Sequence, residues 1–317
     1  MGPGAAKGAA TVTTMRQGEG TTTPGQAQGR WQAIGPAPLG AAESDDWATT
    51  VAERLGLAFP PSRRAFLEER LWARVRALGL VSPALYRAYL LRQPDEWDAL
   101  ADLLVVTESS FFREEASFRA LHERIIPELV QRRETTGALR RELALWSAGC
   151  STGEEPYTLA IIALETLPNP ALWEVRILGS DLSGRSITHA RAGVYDARRL
   201  ANLPSPWRQR HATGDEGARE VRMGATVRAV TTFRQHNLCG EDWPIGSQDV
   251  VVCQNVIIYF RREDQVRVLN RLYDTLRPGG YLLVGATELP TAPIRPGLTP
   301  VRVGDTLAYH RPHSRWA

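Results

Sequence analysis

The spacing of apolar residues changes twice along the 317-residue chain. Residues 1–45 hold few large apolar side chains among Gly, Ala, Thr, Gln and Pro, too few to offset the entropy of ordering, and read as a disordered tail. From residue 46 to 106 the period is helical. Leu67, Leu71, Val75 and Leu78 follow a candidate N-cap at Ser62, Ser82 and Pro83 open a second helix, and residues 95–106 form a third. This predicts a small all-α domain, joined by a helical linker region over residues 107–140 to a larger C-terminal domain. From about residue 141 short apolar runs alternate with amphipathic segments. Strands are expected at 143–146, 175–180, 249–253 and 280–285, and helices at 156–167, 186–192 and 263–276. That alternation predicts an α/β fold, a doubly wound and mainly parallel sheet over residues 141–312. Two stretches break the rhythm: an Arg-rich, turn-rich segment at about 196–234 reads as a small antiparallel β insert, and "LTPVRVGDTLAYH", with Gly304 and Asp305 between two alternating runs, as a closing hairpin.

Charge and composition remove several classes of function. Lys plus Arg number 38 against 35 for Asp plus Glu, a formal net charge of +3, which is no whole-chain footprint for nucleic acid. No apolar stretch approaches the roughly 18 residues of a membrane span, and no hydrophobic signal region opens the chain. The three cysteines, Cys150, Cys239 and Cys253, form no CxxC pair and fit a reducing cytosol. The expectation is a soluble, cytoplasmic monomer without membrane insertion or a bound metal; His236 and Cys239 lack the second ligand pair of a zinc site. Arg63, Arg70 and Arg74 lie along one flank of the first helical stripe, either as a solvated face or as a docking ridge for an acidic partner.

The stretch "WSAGCSTGEEPYTLAI", residues 146–161, places a glycine-spaced loop between the first strand and the helix after it, where open parallel sheets hold ligands. Its spacing, Gly149 then Gly153, is neither GxGxxG nor a P-loop. Glu154 and Glu155 stand at the helix start, where they repel phosphate and attract an amine. Asp181, at the end of the next strand, is placed to accept hydrogen bonds from ribose hydroxyls. A ribose, an amino group and no phosphate describe S-adenosylmethionine.

The chain resembles the CheR-type chemotaxis receptor glutamate methyltransferases over roughly residues 50–310. "TESSFFRE" (107–114), "WSAGCSTGEEPY" (146–157), "ILGSDLSGRSITHARAGVY" (177–195) and "VVVCQNVIIYF" (250–260) carry the match, supported by "LRPGGYLLVGATE" (276–288). The resemblance implies that Glu154 accepts the methionine amino group, with Gly149 in the same loop, and that Asp181 holds the ribose. Asn237 and Leu238, with Asn255 and Val256, would line the adenine. Ser109 and Arg113 would close over the methionine end, and Thr107 would be a further cofactor-binding residue. Arg113 would also hold the acceptor carboxylate and Tyr259 face the transferred methyl, making these two the catalytic candidates. Thr107 stands where the family often has Asn, "GATE" replaces a common "GHSE", and the stretch near "HATGDEG" is shorter than in members that tether to a receptor's C-terminal peptide.

What the resemblance implies is methyl esterification of glutamate side chains on the cytoplasmic domain of methyl-accepting chemoreceptors, with S-adenosylhomocysteine (SAH) as product. A glutamate acceptor, with a reference pKa of about 4.3, is already ionised at neutral pH and needs no general base. His122 and His189 are therefore expected to pack rather than react, Phe111 and Phe112 to fill the seam between the helical unit and the sheet, and Trp146 to sit in strand core. A cofactor-binding regulator without catalysis and a methyltransferase for a small molecule or nucleic acid are the rival classes.

Overall fold

The computed structural model describes residues 38–135, 141–214, 217–243, 245–288, 295 and 300–313. Residues 1–37 of the expected tail lie outside the described residues. Four helices open the chain: α1 (Ala41–Leu55), α2 (Arg64–Ala77), α3 (Pro83–Arg92) and α4 (Glu96–Leu104). The first begins inside the expected tail, because Trp47, Val51 and Leu55 at helical spacing give it a face to bury. Trp47 stacks on Tyr86 of α3 with ring centroids 5.9 Å apart, and the anticipated stripe Leu67, Leu71, Val75 is buried against both. Ser82 caps α3, its side chain accepting from Leu85 N at 3.3 Å with Pro83 in the first turn. Ser62 caps nothing; it lies in a short 3-10 turn ahead of α2.

Residues 107–135 pack into the core of the sheet. After α5 (Glu115–Ala120), a π-helical turn at Leu121–Ile125 leads into α6 (Ile126–Thr135). Phe111 and Phe112 join the sheet's own core: Phe111 meets Tyr195 edge-on at 5.1 Å and Phe112 packs against Phe118 and Trp207. The seam they fill is thus with the β insert, not with the helical domain.

The remaining elements are β1 (Glu142–Ala148), α7 (Glu154–Thr166), β2 (Glu174–Asp181), α8 (Gly184–Ala192), β3 (Val194–Asp196), α9 (Ser205–His211), β4 (Ala212–Thr213), β5 (Glu220–Met223), α10 (Ala225–Ala229), β6 (Thr231–Gln235), β7 (Gln248–Cys253), α11 (Arg262–Asp274), β8 (Leu276–Val284), β9 (Val301–Val303) and β10 (Thr306–His310). The main sheet runs β6-β2-β1-β7-β8-β10-β9, parallel through β8 and closed by the antiparallel hairpin β9–β10 around Gly304. Chain order reverses between β1 and β7, so their carboxyl ends frame a crevice. The small sheet β3-β5-β4 is the expected antiparallel insert. It ends earlier than the sequence suggests. Residues 231–235 leave it to pair with β2 in parallel, Ile177 opposite Thr231, and Phe233 packs on Tyr157 with centroids 5.3 Å apart. Burial of that edge outweighs the brevity of the run.

The helical domain is sewn to the sheet. Leu57 pairs with Phe260 as an isolated antiparallel bridge, and Ala58 N donates to the Tyr259 carbonyl at 2.7 Å. On α4, Asp102 accepts from the Ser183 hydroxyl at 2.6 Å and Asp98 from the Gln235 amide at 3.0 Å.

Candidate active site

The loop that follows β1 hooks over the end of β2, with Gly149 N and Cys150 N both donating to the Ser180 carbonyl at 2.8 Å. Gly149 has φ +85°, and a Cβ on it would lie 2.4 Å from a Val256 methyl, so only glycine allows the loops after β1 and β7 to approach. Asp181 ties the loop further: its two carboxylate oxygens accept from Ser151 N at 2.8 Å and Ser183 N at 2.9 Å, while burial pushes its carboxyl up. Across the crevice, Glu288 accepts the Asn255 backbone N–H and holds the turn after β7. Phe112, Ser151 and Asn255 are the described non-glycine residues with left-handed φ, and all three lie on loops at this crevice. Tertiary contacts hold them in a conformation that costs of order 1–3 kcal/mol each.

These loops and the helical domain enclose a cavity of about 1180 Å3, part of it open to solvent. Most of the residues expected in the site meet there: Ser109, Arg113, Gly149, Asp181, Asn237, Leu238, Asn255, Val256 and Tyr259 all line it. Asn237 is fixed by its side chain, donating to the Arg54 carbonyl at 3.2 Å and accepting from Cys239 N at 2.9 Å. Arg113 is exposed and gives one N–H to the Glu108 carbonyl at 2.9 Å. Thr107, half-buried, is not among the lining residues.

The adjacent glutamates part company. Glu154 is fully buried away from the cavity, its carboxylate bonded to Arg199 and, at 2.7 Å, to the Thr152 hydroxyl. Glu155 lines the cavity and accepts the Ser147 hydroxyl at 2.7 Å. Desolvation pushes its carboxyl up to about 7, reinforced by Glu114 and Glu288 and opposed by the Ser147 hydrogen bond and Arg113. The sequence put both glutamates at the helix start without telling them apart, placed Arg63 on the arginine flank rather than at the cavity, and gave no sign of Arg199 or Glu288. Arg63 reaches the cavity from the turn before α2, its guanidinium 5.2 Å from the Phe59 ring centroid and 5.4 Å from that of Tyr259.

Of the three arginines on the expected flank, Arg63 reaches the cavity and Arg74 is held inside the helical domain. Arg74 is bound through two N–H groups to Glu96, at 2.6 and 2.9 Å, and Tyr86 completes that carboxylate at 2.9 Å. Arg70 lies over Phe66 at 4.7 Å. His122, bonded to the Thr166 hydroxyl, and His189, edge-on to Tyr195, pack as expected, and Trp146 is buried with its indole N–H on the Ser180 hydroxyl.

Residues 107–293 match the family described as "CheR methyltransferase, SAM binding domain", and residues 42–105 match "CheR methyltransferase, all-alpha domain". The chain belongs to the CheR methyltransferase family. Chemotaxis protein methyltransferase 2 of Pseudomonas aeruginosa is 36% identical over 247 residues, 75% of this chain and 84% of that protein. The chemotaxis protein methyltransferase of Vibrio parahaemolyticus is 32% identical over 250 residues, 78% and 88% of the two chains. Among solved structures, magnesium protoporphyrin IX methyltransferase from Synechocystis PCC 6803 is 16% identical with a TM-score of 0.31, over 72% of this chain and 96% of that one.

S-adenosylmethionine (SAM) is accordingly the cofactor of this domain, and the cavity's chemistry fits it. Ser151 Oγ, His236 Nε2 and Gln254 Oε1 line the cavity as buried polar atoms without a partner in the protein. Glu155, Glu114 and Gln254 also line the cavity and bring acceptor oxygens to it. No helix among the described residues is long and apolar enough to cross a membrane.

Proposed function

We propose that this family member esterifies glutamate side chains on the cytoplasmic domain of methyl-accepting chemoreceptors. SAM supplies a sulfonium methyl whose transfer to a carboxylate cancels two opposite charges. The chain's residues bind and orient. Glu155 takes the methionine ammonium, a role the motif alone had suggested for Glu154. Asp181, whose oxygens keep lone pairs beyond their two backbone bonds, takes the ribose hydroxyls. Asn237, Leu238, Asn255 and Val256 form the adenine wall. Arg113, exposed at the cavity, aims the incoming carboxylate with a planar donor pair, and Tyr259 faces it.

The observation that carries this reading is an arginine, a tyrosine and a buried carboxylate lining one cavity, next to loop residues held at backbone cost, with His236 the one histidine lining it among the described residues. Burial and neighbouring arginines push the His236 pKa down, so it stays neutral, as suits an acceptor that arrives ionised and needs no base.

Incubating the protein with methyl-labelled SAM and receptor-bearing membranes tests it. Base-labile label on receptor is expected, and Arg113→Ala should lose at least about a hundredfold in rate while melting as the wild type does. Absence of label on receptor, with SAH binding intact, would refute the receptor assignment.

A further inference from the structure

We infer that Arg199 is a positioning residue whose guanidinium, carried by the β insert, ties the glycine loop to the 107–114 loop and so fixes two walls of the cofactor cavity. The inference deepens the proposed reading of the cofactor site, though it requires no particular methyl acceptor.

Arg199 lies in the 3-10 turn Ala197–Leu200 that follows β3. The two N–H bonds of its Nη1 go to different loops. One meets the carboxylate of Glu154, and the other meets the Ser109 carbonyl at 3.1 Å. Its own carbonyl accepts from Phe111 N. Glu154 has no exposed surface, so its charge is tolerable only because Arg199 and the Thr152 hydroxyl satisfy it. A second strut from the same insert runs parallel: Tyr195 OH donates to the Thr152 carbonyl at 2.8 Å, and its ring supports Phe111.

Each segment held this way carries cavity residues at or near the tether: Ser109 and Arg113 on one, Ser151 and Glu155 on the other. Glu154 therefore has a use that the paired-glutamate motif conceals. It anchors the first turn of α7 to the insert, which turns Glu155 toward the cofactor.

Removing Arg199 alone would leave a buried, uncompensated carboxylate, and misfolding would confuse the result. The decisive variant is the double substitution Arg199→Ala/Glu154→Gln, which removes the buried charge together with the tether to Ser109. Its melting temperature should stay near the wild-type value while calorimetry shows SAH binding about tenfold weaker. Arg199→Lys, which keeps a cation opposite Glu154, should recover affinity to within about threefold of wild type. Should the alanine gap unfold the chain, Arg199→Met/Glu154→Gln fills the space and is read by the same titration. Wild-type SAH affinity in a folded double variant would overturn the inference. Because SAH binding involves no receptor, this outcome is independent of whether receptor glutamates are the acceptors.

Discussion

If Glu155 receives the methionine ammonium, cofactor affinity must depend on pH in a defined direction. In the ligand-free protein its carboxyl titrates at about 7, so roughly half the molecules carry a neutral Glu155 near neutrality. An ammonium favours the ionised form, so binding competes with a proton. Between pH 8 and pH 6 the apparent Kd for SAH should rise about tenfold, the ratio of protonation factors for one group titrating at about 7. Glu155→Gln should bind about 10- to 150-fold more weakly at pH 8, the loss of a charge-assisted hydrogen bond of about 1.5–3 kcal/mol. Its affinity should change little with pH, any residual slope reporting Asp181, whose pKa is also raised by burial. The same shift carries a sign for stability. Native Glu155 holds its proton above its ordinary value of 4.5, so the ligand-free protein loses stability as pH rises from there to about 7. Calorimetry at four pH values on both proteins decides the matter. A wild-type Kd flat across the range, or a glutamine variant with the wild-type slope, would refute the assignment of the ammonium to Glu155.

Two further substitutions test the packing around the site. Gly149→Ala forces a Cβ against Val256 and asks a residue with a side chain to hold φ +85°, so SAH affinity should fall about tenfold for ~1–2 kcal/mol of strain, measurable by calorimetry. Arg74→Ala strips the guanidinium from the nearly buried Glu96 carboxylate and should lower stability by about 2–4 kcal/mol in chemical denaturation; a loss below about 0.5 kcal/mol would return Arg74 to the role of a solvated surface charge.

The strands and helices of the sheet were legible because each is long enough to show its period, and Ser82–Pro83 announced α3 through local chemistry that needs no partner. What escaped depended on contacts distant in sequence. Which of two adjacent glutamates faces a cavity turns on the rotation of one helical start, and that rotation is set by Arg199, 45 residues away. Arg63, Arg70 and Arg74 share one flank in the sequence, yet Glu96, 22 residues on from Arg74, binds the last of them. The run 231–235 is too short and mixed to read as a parallel strand until β2 supplies its ladder. Gly149, by contrast, was readable as a loop glycine, though its partner Val256 was not.

The stitch between Leu57 and Phe260, with Ala58 bonded to Tyr259, has a consequence for protein engineering. Leu55, Leu57, Phe59, Arg63 and Leu104 of the helical domain are wall residues of the same cavity that Asp181 and Glu155 line. Exchanging that domain for a relative's, in the hope of redirecting the enzyme to another target, would transplant part of the cofactor chamber as well. Chimeras joined at residue 106 would therefore shift SAM affinity, and a graft meant to leave the cofactor chamber untouched has to carry residues 55–63 and 104–106 from the recipient.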